Sequence, residues 1–123
     1  LLAAICRDFQ PYQGQIQIGG KPLNCVDLEA HVSIQSQAAE IFDGDILSNV
    51  KLANPNLTVE QVEECCKKAC LLGMPESSWL FPKGVYTQCG PEGKCLSGGM
   101  RMRVCIARTI ARNTPVMLFD EPL

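Results

Sequence analysis

The sequence has little of what several large classes of protein depend on. It has 123 residues, with 11 Lys and Arg against 13 Asp and Glu, so its net charge is -2. A protein that binds nucleic acid through phosphate contacts needs an excess of positive charge. The longest uncharged apolar runs are residues 1–6 and 116–119, far short of the roughly 18 residues that cross a bilayer. We therefore expect neither nucleic-acid binding nor a membrane span within this sequence.

Metal-binding patterns are also scarce. Of the eight cysteines no two are spaced C-x-x-C, and His31 is the single histidine, whereas zinc sites use such residues in closely spaced pairs. Eight cysteines in 123 residues fall below the content of about 8 to 10% that is typical of a disulfide scaffold. We expect reduced, mostly buried thiols in a cytosolic setting, with disulfides or metal ligation as less favoured alternatives. We expect His31 to have a partly exposed structural role.

The start of the sequence lacks an initiator methionine and a cleavable leader. Leu1 falls in a pattern typical of the middle of a helix. We expect the sequence to be an internal piece of a longer protein, and its length allows one domain at most.

The first third of the sequence favours a helix followed by two strands. Residues 1–9 read as the end of an apolar helix, and Pro11 and Gly14 predict a turn after it. Polar and apolar residues alternate over 15–18, which predicts a strand ended by Gly19 and Gly20. A second strand is expected over 32–34.

The remainder favours helices and one final strand. Asp45 is expected to cap a helix through Val50, and Thr58 with Gln61 forms a capping box that opens a helix to about Leu72. Ser97 opens a helix to about Asn113. Trp79 and Phe81 are the expected buried anchors of the loop over 75–94. Residues 116–119 form a continuous apolar run, which is typical of a strand buried on both faces of a parallel sheet.

Two acidic residues follow that last strand. Open α/β sheets bind ligands at the carboxyl ends of their strands, where Asp120 and Glu121 stand. Successive side chains of an extended segment point to opposite sides, so one carboxylate can hold Mg2+, which prefers oxygen ligands, while the other faces water. Two ordinary surface acids remain the alternative.

A second candidate site lies at the start of the long helix. Ser97, Gly98 and Gly99 offer a hydroxyl group and free backbone N–H groups at a helix N-terminus, which together favour phosphate binding. The alternative is an ordinary serine cap followed by a glycine hinge.

Taken together, these motifs resemble the ATP-binding cassette (ABC) ATPases. LSGGMRMR at 96–103, IAR at 106–108 and VMLFDEP at 116–122 are similar to the family's signature-to-Walker-B stretch. VSIQSQ at 32–37 looks like its Q-loop, and GQIQIGG at 14–20 like its early "GxIxIDG" strand. The resemblance covers essentially the whole chain, with the landmarks in family order.

The resemblance implies a role for each matching residue. Asp120 would bind Mg2+, and Glu121 would be the general base for the attacking water. Gln37 would touch the Mg2+ or that water. Ser97, Gly98, Gly99 and Met100 would bind the γ-phosphate of an ATP molecule held by a second subunit.

The implied fold is α/β, a partial P-loop NTPase (RecA-like) parallel sheet with an inserted α-helical subdomain that carries the signature motif. Residues 1–44 would be the partial ATP-binding core with the Q-loop, 45–113 the helical subdomain, and 114–123 the Walker B strand. The implied partners are a second nucleotide-binding domain, head to tail, and a transmembrane domain through which the protein associates with the cytoplasmic face of the cell membrane.

The motif FDGDI at 42–46 followed by SNV at 48–50 is similar to exporters, and PKGVYT at 82–87 to bacterial peptide or bacteriocin exporters in particular. The resemblance therefore implies ATP-driven export. Met100 stands where the family usually has glutamine, which we expect to reduce efficiency rather than abolish activity. No G-x-x-x-x-G-K-[ST] loop occurs, so we expect the chain alone to be inactive. A soluble, non-transport ABC ATPase and a degenerate, non-catalytic ABC interaction module remain alternatives.

Overall fold

The computed structural model describes residues 1–7 and 13–121. A short helix, α1 (Leu2–Ile5), begins the chain. The predicted helix over 1–9 is therefore too long, because Arg7 already has a φ of 63°, outside the helical region. Phe9 and Pro11, which belonged to the predicted helix and turn, lie outside the described residues.

An antiparallel hairpin follows, formed by β1 (Gln17–Ile18) and β2 (Lys21–Pro22). Gly19 and Gly20 form its turn with φ values of 58° and 77°, which glycine adopts readily and which match the twist of a tight hairpin. The strand ends at the glycines as predicted, but β1 covers only two of the four predicted residues, 15–18.

A parallel pair of strands lies beside the helices. Helix α2 (Leu28–His31) leads into β3 (Val32–Gln35), and β3 pairs in parallel with β4 (Val116–Phe119) so that Val32 lies opposite Val116. The predicted parallel sheet is confirmed. The long helical segment between β3 and β4 is the connection that parallel pairing requires.

Strand β4 is less buried than predicted. Three of its residues are half-buried and Phe119 is 37% exposed. In the part of the chain that the structure describes, β3 is the strand that pairs with β4. The other edge of β4 has no strand against it there, and the prediction of a strand buried on both faces was wrong.

Four further helices follow between β3 and β4: α3 (Ile46–Lys51), α4 (Val59–Lys68), α5 (Ser77–Leu80) and α6 (Gly98–Ala111). Helices α3 and α4 both pack against α6. The core between them is apolar, and its largest fully buried apolar side chains are Ile46, Val50, Val62, Cys66, Val85, Cys89 and Val104.

The predicted helix starts are confirmed. The Asp45 carboxylate accepts from the N–H of Ser48 at 2.7 Å. Thr58 and Gln61 form both hydrogen bonds of the capping box. Each cap satisfies N–H groups that the first turn of a helix leaves without partners.

The segment before α6 contains α5 and two short 3₁₀ turns over 84–86 and 91–93. Phe81 is buried as predicted, but Trp79 is 69% exposed and that prediction was wrong. Trp79 lies within α5 and Phe81 caps it, so the two rings point in different directions and Phe81 alone reaches the core.

Cysteine burial is divided. The structure has free thiols at Cys25, Cys65, Cys66, Cys70, Cys89, Cys95 and Cys105. Only Cys66, Cys89 and Cys105 are buried, so the prediction of mostly buried cysteines was wrong for the others, which fall at helix ends and in loops; the reduced state of the thiols stays a prediction. His31 is exposed, with its Nδ1 atom 2.9 Å from the Asp27 carbonyl oxygen.

Across the described residues, no helix has the length and apolar character to cross a membrane.

Candidate functional site

The parallel pairing of β3 and β4 brings two of the predicted site residues together. Because the strands run in register, the chain leaves both at the same edge of the sheet. The N–H of Asp120 donates to the Gln35 carbonyl at 3.0 Å and extends the ladder past β4. Beyond it, the Gln37 side-chain amide lies 3.4 Å from Oε2 of Glu121. These residues are 84 positions apart in sequence.

The backbone at Glu121 has an unusual conformation. Its φ is 45°, in the left-handed region that residues other than glycine seldom adopt. Asp120 and Glu121 are both exposed. From this backbone position the Glu121 carboxylate lies within hydrogen-bond distance of Gln37. Such strain is concentrated at functional sites.

The chemistry of the donors at this edge suits magnesium. Asp120 offers carboxylate oxygens and Gln37 an amide oxygen, which are the ligands that Mg2+ prefers. Among the residues that the structure describes, no three His, Cys, Asp or Glu side chains gather to hold a metal by themselves. A cation here would take its remaining ligands from water or phosphate, as Mg2+ does in nucleotide sites.

The start of α6 forms the second part of the candidate site. The Ser97 hydroxyl accepts from the Met100 N–H at 3.2 Å and caps the helix. Ser97, Gly98 and Gly99 are exposed, and a side chain built on Gly99 would meet nothing within 4 Å. A ligand can therefore approach the free N–H groups of this first turn.

Met100 differs from its neighbours in this group. Its side chain is half-buried and packs against the apolar core, so only its backbone faces the candidate site, and its N–H is already bonded to the Ser97 hydroxyl. Over the described ranges, no hydrogen bond joins the Ser97–Met100 group to Gln37, Asp120 or Glu121. The structure thus brings together Gln37 and Glu121 and leaves the helix start as a separate surface.

Sequence reasoning missed a second set of polar contacts near Gln37. On α6, the Arg108 guanidinium donates to Asn49 and to the Glu40 carbonyl. Asn49 is 1% exposed. An asparagine between the apolar positions Ile46 and Val50 was the available signal, since buried amides require hydrogen-bond partners.

Comparison with known proteins agrees with these features. A profile of the family described as "ABC transporter" matches residues 1–123. The chain is 35% identical over 124 residues to the iron-sulfur clusters transporter ABCB7, mitochondrial, of Oryzias latipes, covering 98% of this chain and 16% of that protein. It is 29% identical to the ATP-dependent lipid A-core flippase of Chromobacterium violaceum, covering 98% of this chain and 21% of that protein.

A solved structure shows the same likeness in three dimensions. The chain superimposes on a bacterial Atm1-family ABC exporter with ATP bound, with a TM-score of 0.78, 30% sequence identity, and coverage of 98% of this chain and 21% of that one. The chain spans 16% to 21% of the length of these relatives. The mixed α/β fold is that of an ABC ATPase domain, and the chain belongs to the ABC transporter family.

Proposed function

We propose that this chain is part of the nucleotide-binding domain of an exporter-type ABC transporter, and that the complete protein hydrolyses ATP to drive export. The observation that carries the proposal is the 3.4 Å contact between Gln37 and Glu121 beside Asp120, at the shared edge of two parallel strands. The exporter and flippase named among the relatives support the direction of transport.

In this proposal the three residues at the sheet edge have different tasks. Asp120 holds Mg2+, which when bound neutralises phosphate charge. Glu121 accepts the proton of the attacking water as general base. Gln37, through its contact with Glu121, orients that water. Phosphoryl transfer depends on this positioning and charge stabilisation more than on covalent chemistry.

The helix start would act on a different nucleotide. Ser97, Gly98, Gly99 and the backbone of Met100 bind the γ-phosphate of an ATP molecule carried by a second nucleotide-binding domain, in a head-to-tail pair. This agrees with the open space above Gly99 and with the separation of this surface from Gln37 and Glu121.

We also propose a division of the chain into three segments. Residues 1–44 and 114–123 belong to the ATP-binding core, of the P-loop NTPase type, and 45–113 form the helical subdomain. The packing of α3, α4 and α6 around one core supports the middle segment. A transmembrane domain would anchor the protein at the cytoplasmic face of the cell membrane.

The test uses the complete protein encoded by the reading frame that contains this sequence. Glu121→Gln removes the proposed base but keeps the side chain's size, so we expect ATP turnover to fall by about 10² to 10⁴-fold while ATP binding persists. The matched control is Glu64→Gln, which alters an exposed acid on α4 and should leave turnover unchanged.

Turnover that survives Glu121→Gln would overturn the catalytic assignment. ATP binding without turnover in the unaltered protein would favour a non-catalytic ABC module. Membrane-spanning helices in the same reading frame support the exporter, whereas a second cassette or a long coiled-coil insertion would favour a soluble ABC ATPase.

A further inference from the structure

Helix α6 holds the chain just before Gln37. Gln35 is 6% exposed, and its Oε1 atom lies 3.3 Å from the Thr109 hydroxyl. The amide nitrogen of the same side chain lies 3.7 Å from the Met102 sulfur. That nitrogen also donates to the Ser36 carbonyl at 2.8 Å, and the Thr109 hydroxyl also lies 3.1 Å from the Cys105 carbonyl. The buried Gln35 amide therefore joins the end of β3 both to α6 and to the residue just before Gln37.

The same helix also holds the chain just after Gln37. Arg108 donates from Nη1 to the Glu40 carbonyl at 3.0 Å, and the Cys105 thiol lies 3.5 Å from the same oxygen. The Arg108 guanidinium also lies 5.5 Å from the centre of the Phe42 ring, within the range of a cation–π interaction.

Asn49 completes this second attachment. Its side chain accepts from the Phe42 N–H and donates to the Phe42 carbonyl, both at 2.9 Å. Arg108 binds Asn49 twice, from Nε to its carbonyl at 2.9 Å and from Nη2 to its Oδ1 at 3.0 Å. The planar guanidinium thus donates hydrogen bonds to Asn49 of α3 and to the Glu40 carbonyl at the same time. A lysine, with a single ammonium group, cannot match this geometry.

We propose that Arg108 is a positioning residue for Gln37: with Thr109 it ties both ends of the 36–39 segment to α6 and so fixes where Gln37 stands relative to Glu121. The role of Gln37 in orienting water rests on the proposed function, whereas its attachment to α6 does not.

The test reads the position of Gln37 in the complete protein encoded by the reading frame that contains this sequence. In ¹⁵N-labelled protein, the Gln37 side-chain amide signal is assigned by its loss in Gln37→Ala, and Glu121→Gln establishes that it reports the contact with Glu121. Arg108→Lys keeps the charge but loses the fork, and Thr109→Val removes the hydroxyl at nearly constant shape. We expect either change to shift or broaden the Gln37 signal and to speed amide exchange over 36–42 by about tenfold.

Two comparisons separate positioning from general destabilisation. Arg112→Lys alters another arginine of the helix's C-terminal end, one that binds the Glu29 carbonyl, and should leave the Gln37 signal unchanged. Arg108→Met should shift that signal further than Arg108→Lys; if it does not fold, Arg108→Lys and Thr109→Val suffice. The proposal would be overturned if the Gln37 signal stayed unchanged in both Arg108→Lys and Thr109→Val. It would also be overturned if Arg112→Lys shifted that signal as far as Arg108→Lys does. Since no step needs ATP hydrolysis, this result is independent of the Glu121→Gln assay.

Discussion

Cys66 and Cys89 lie in the core, and burial raises the pKa of their thiols to about 12 and about 11. For Cys66 the neighbouring Cys65 and Glu63 act in the same direction, since nearby negative charge also disfavours the thiolate. The thiolate is the reactive form of cysteine. At neutral pH both residues are therefore apolar packing groups rather than nucleophiles.

These thiols should make stability fall in alkaline solution. An unfolded thiol has a pKa of about 9, so above this pH the unfolded chain loses protons that the folded chain keeps. The stabilisation that comes from keeping the Cys66 thiol protonated is complete below pH 9 and is lost between pH 9 and about 12. Each group can add a slope of at most about 1.4 kcal/mol per pH unit.

Urea denaturation between pH 8 and pH 10.5 measures this slope. We expect Cys66→Ala to lower the free energy of unfolding by the same amount at every pH, because it leaves a cavity. We also expect the free energy of unfolding of this variant to fall less steeply as the pH rises. Val62→Ala, which leaves a cavity at another fully buried position of α4 but removes no thiol, should leave the slope as it is. Equal slopes in all three proteins would show that Cys66 ionises freely in the folded chain.

At the scale of elements, helix α4 shows how a local backbone state decides where a helix ends. The capping box correctly predicts its start, but the helix stops at Lys68 rather than at Leu72. Cys70 has a φ of 55°, and the N–H of Leu71 bonds back to the Cys66 carbonyl at 2.9 Å. This is a Schellman ending, in which the left-handed position is usually glycine.

Replacing Cys70 with glycine should therefore stabilise the chain. Glycine has no Cβ atom and so avoids the strain of the left-handed region. Its greater conformational entropy in the unfolded chain offsets part of this gain. We expect a gain of about 0.5 to 1 kcal/mol for Cys70→Gly by urea denaturation. Cys70→Ala keeps the Cβ atom and should give no gain; a similar gain from both would mean that the thiol, not the backbone, carries the cost.

At the scale of the whole molecule, the sheet side presents apolar surface. Ile34, Phe42 and Leu52 are 47%, 53% and 56% exposed, and they line one open groove of about 540 Å³. Strand β4 is half-buried at best. Exposed apolar strands of this kind favour association between chains.

We expect the 123-residue chain to self-associate in solution. Size-exclusion chromatography with light scattering should show species larger than the monomer. Ile34→Thr, which keeps a β-branched side chain but lowers apolar surface, should shift the distribution toward monomer. Leu80→Thr alters an exposed leucine of α5, outside the groove, and should not. A monodisperse monomer with a cooperative thermal transition would contradict this expectation.

The sequence by itself determined the features that depend on near neighbours. Caps at Asp45, Thr58 and Ser97 and the apolar run of β4 could be read directly, since capping and periodicity involve residues a few positions apart. The tertiary structure alone decided the contact of Gln37 with Glu121, the attachment of Arg108 to Asn49 and Glu40, and the exposure of Trp79. These depend on strand pairing and helix packing between distant segments, which no local pattern of residues specifies.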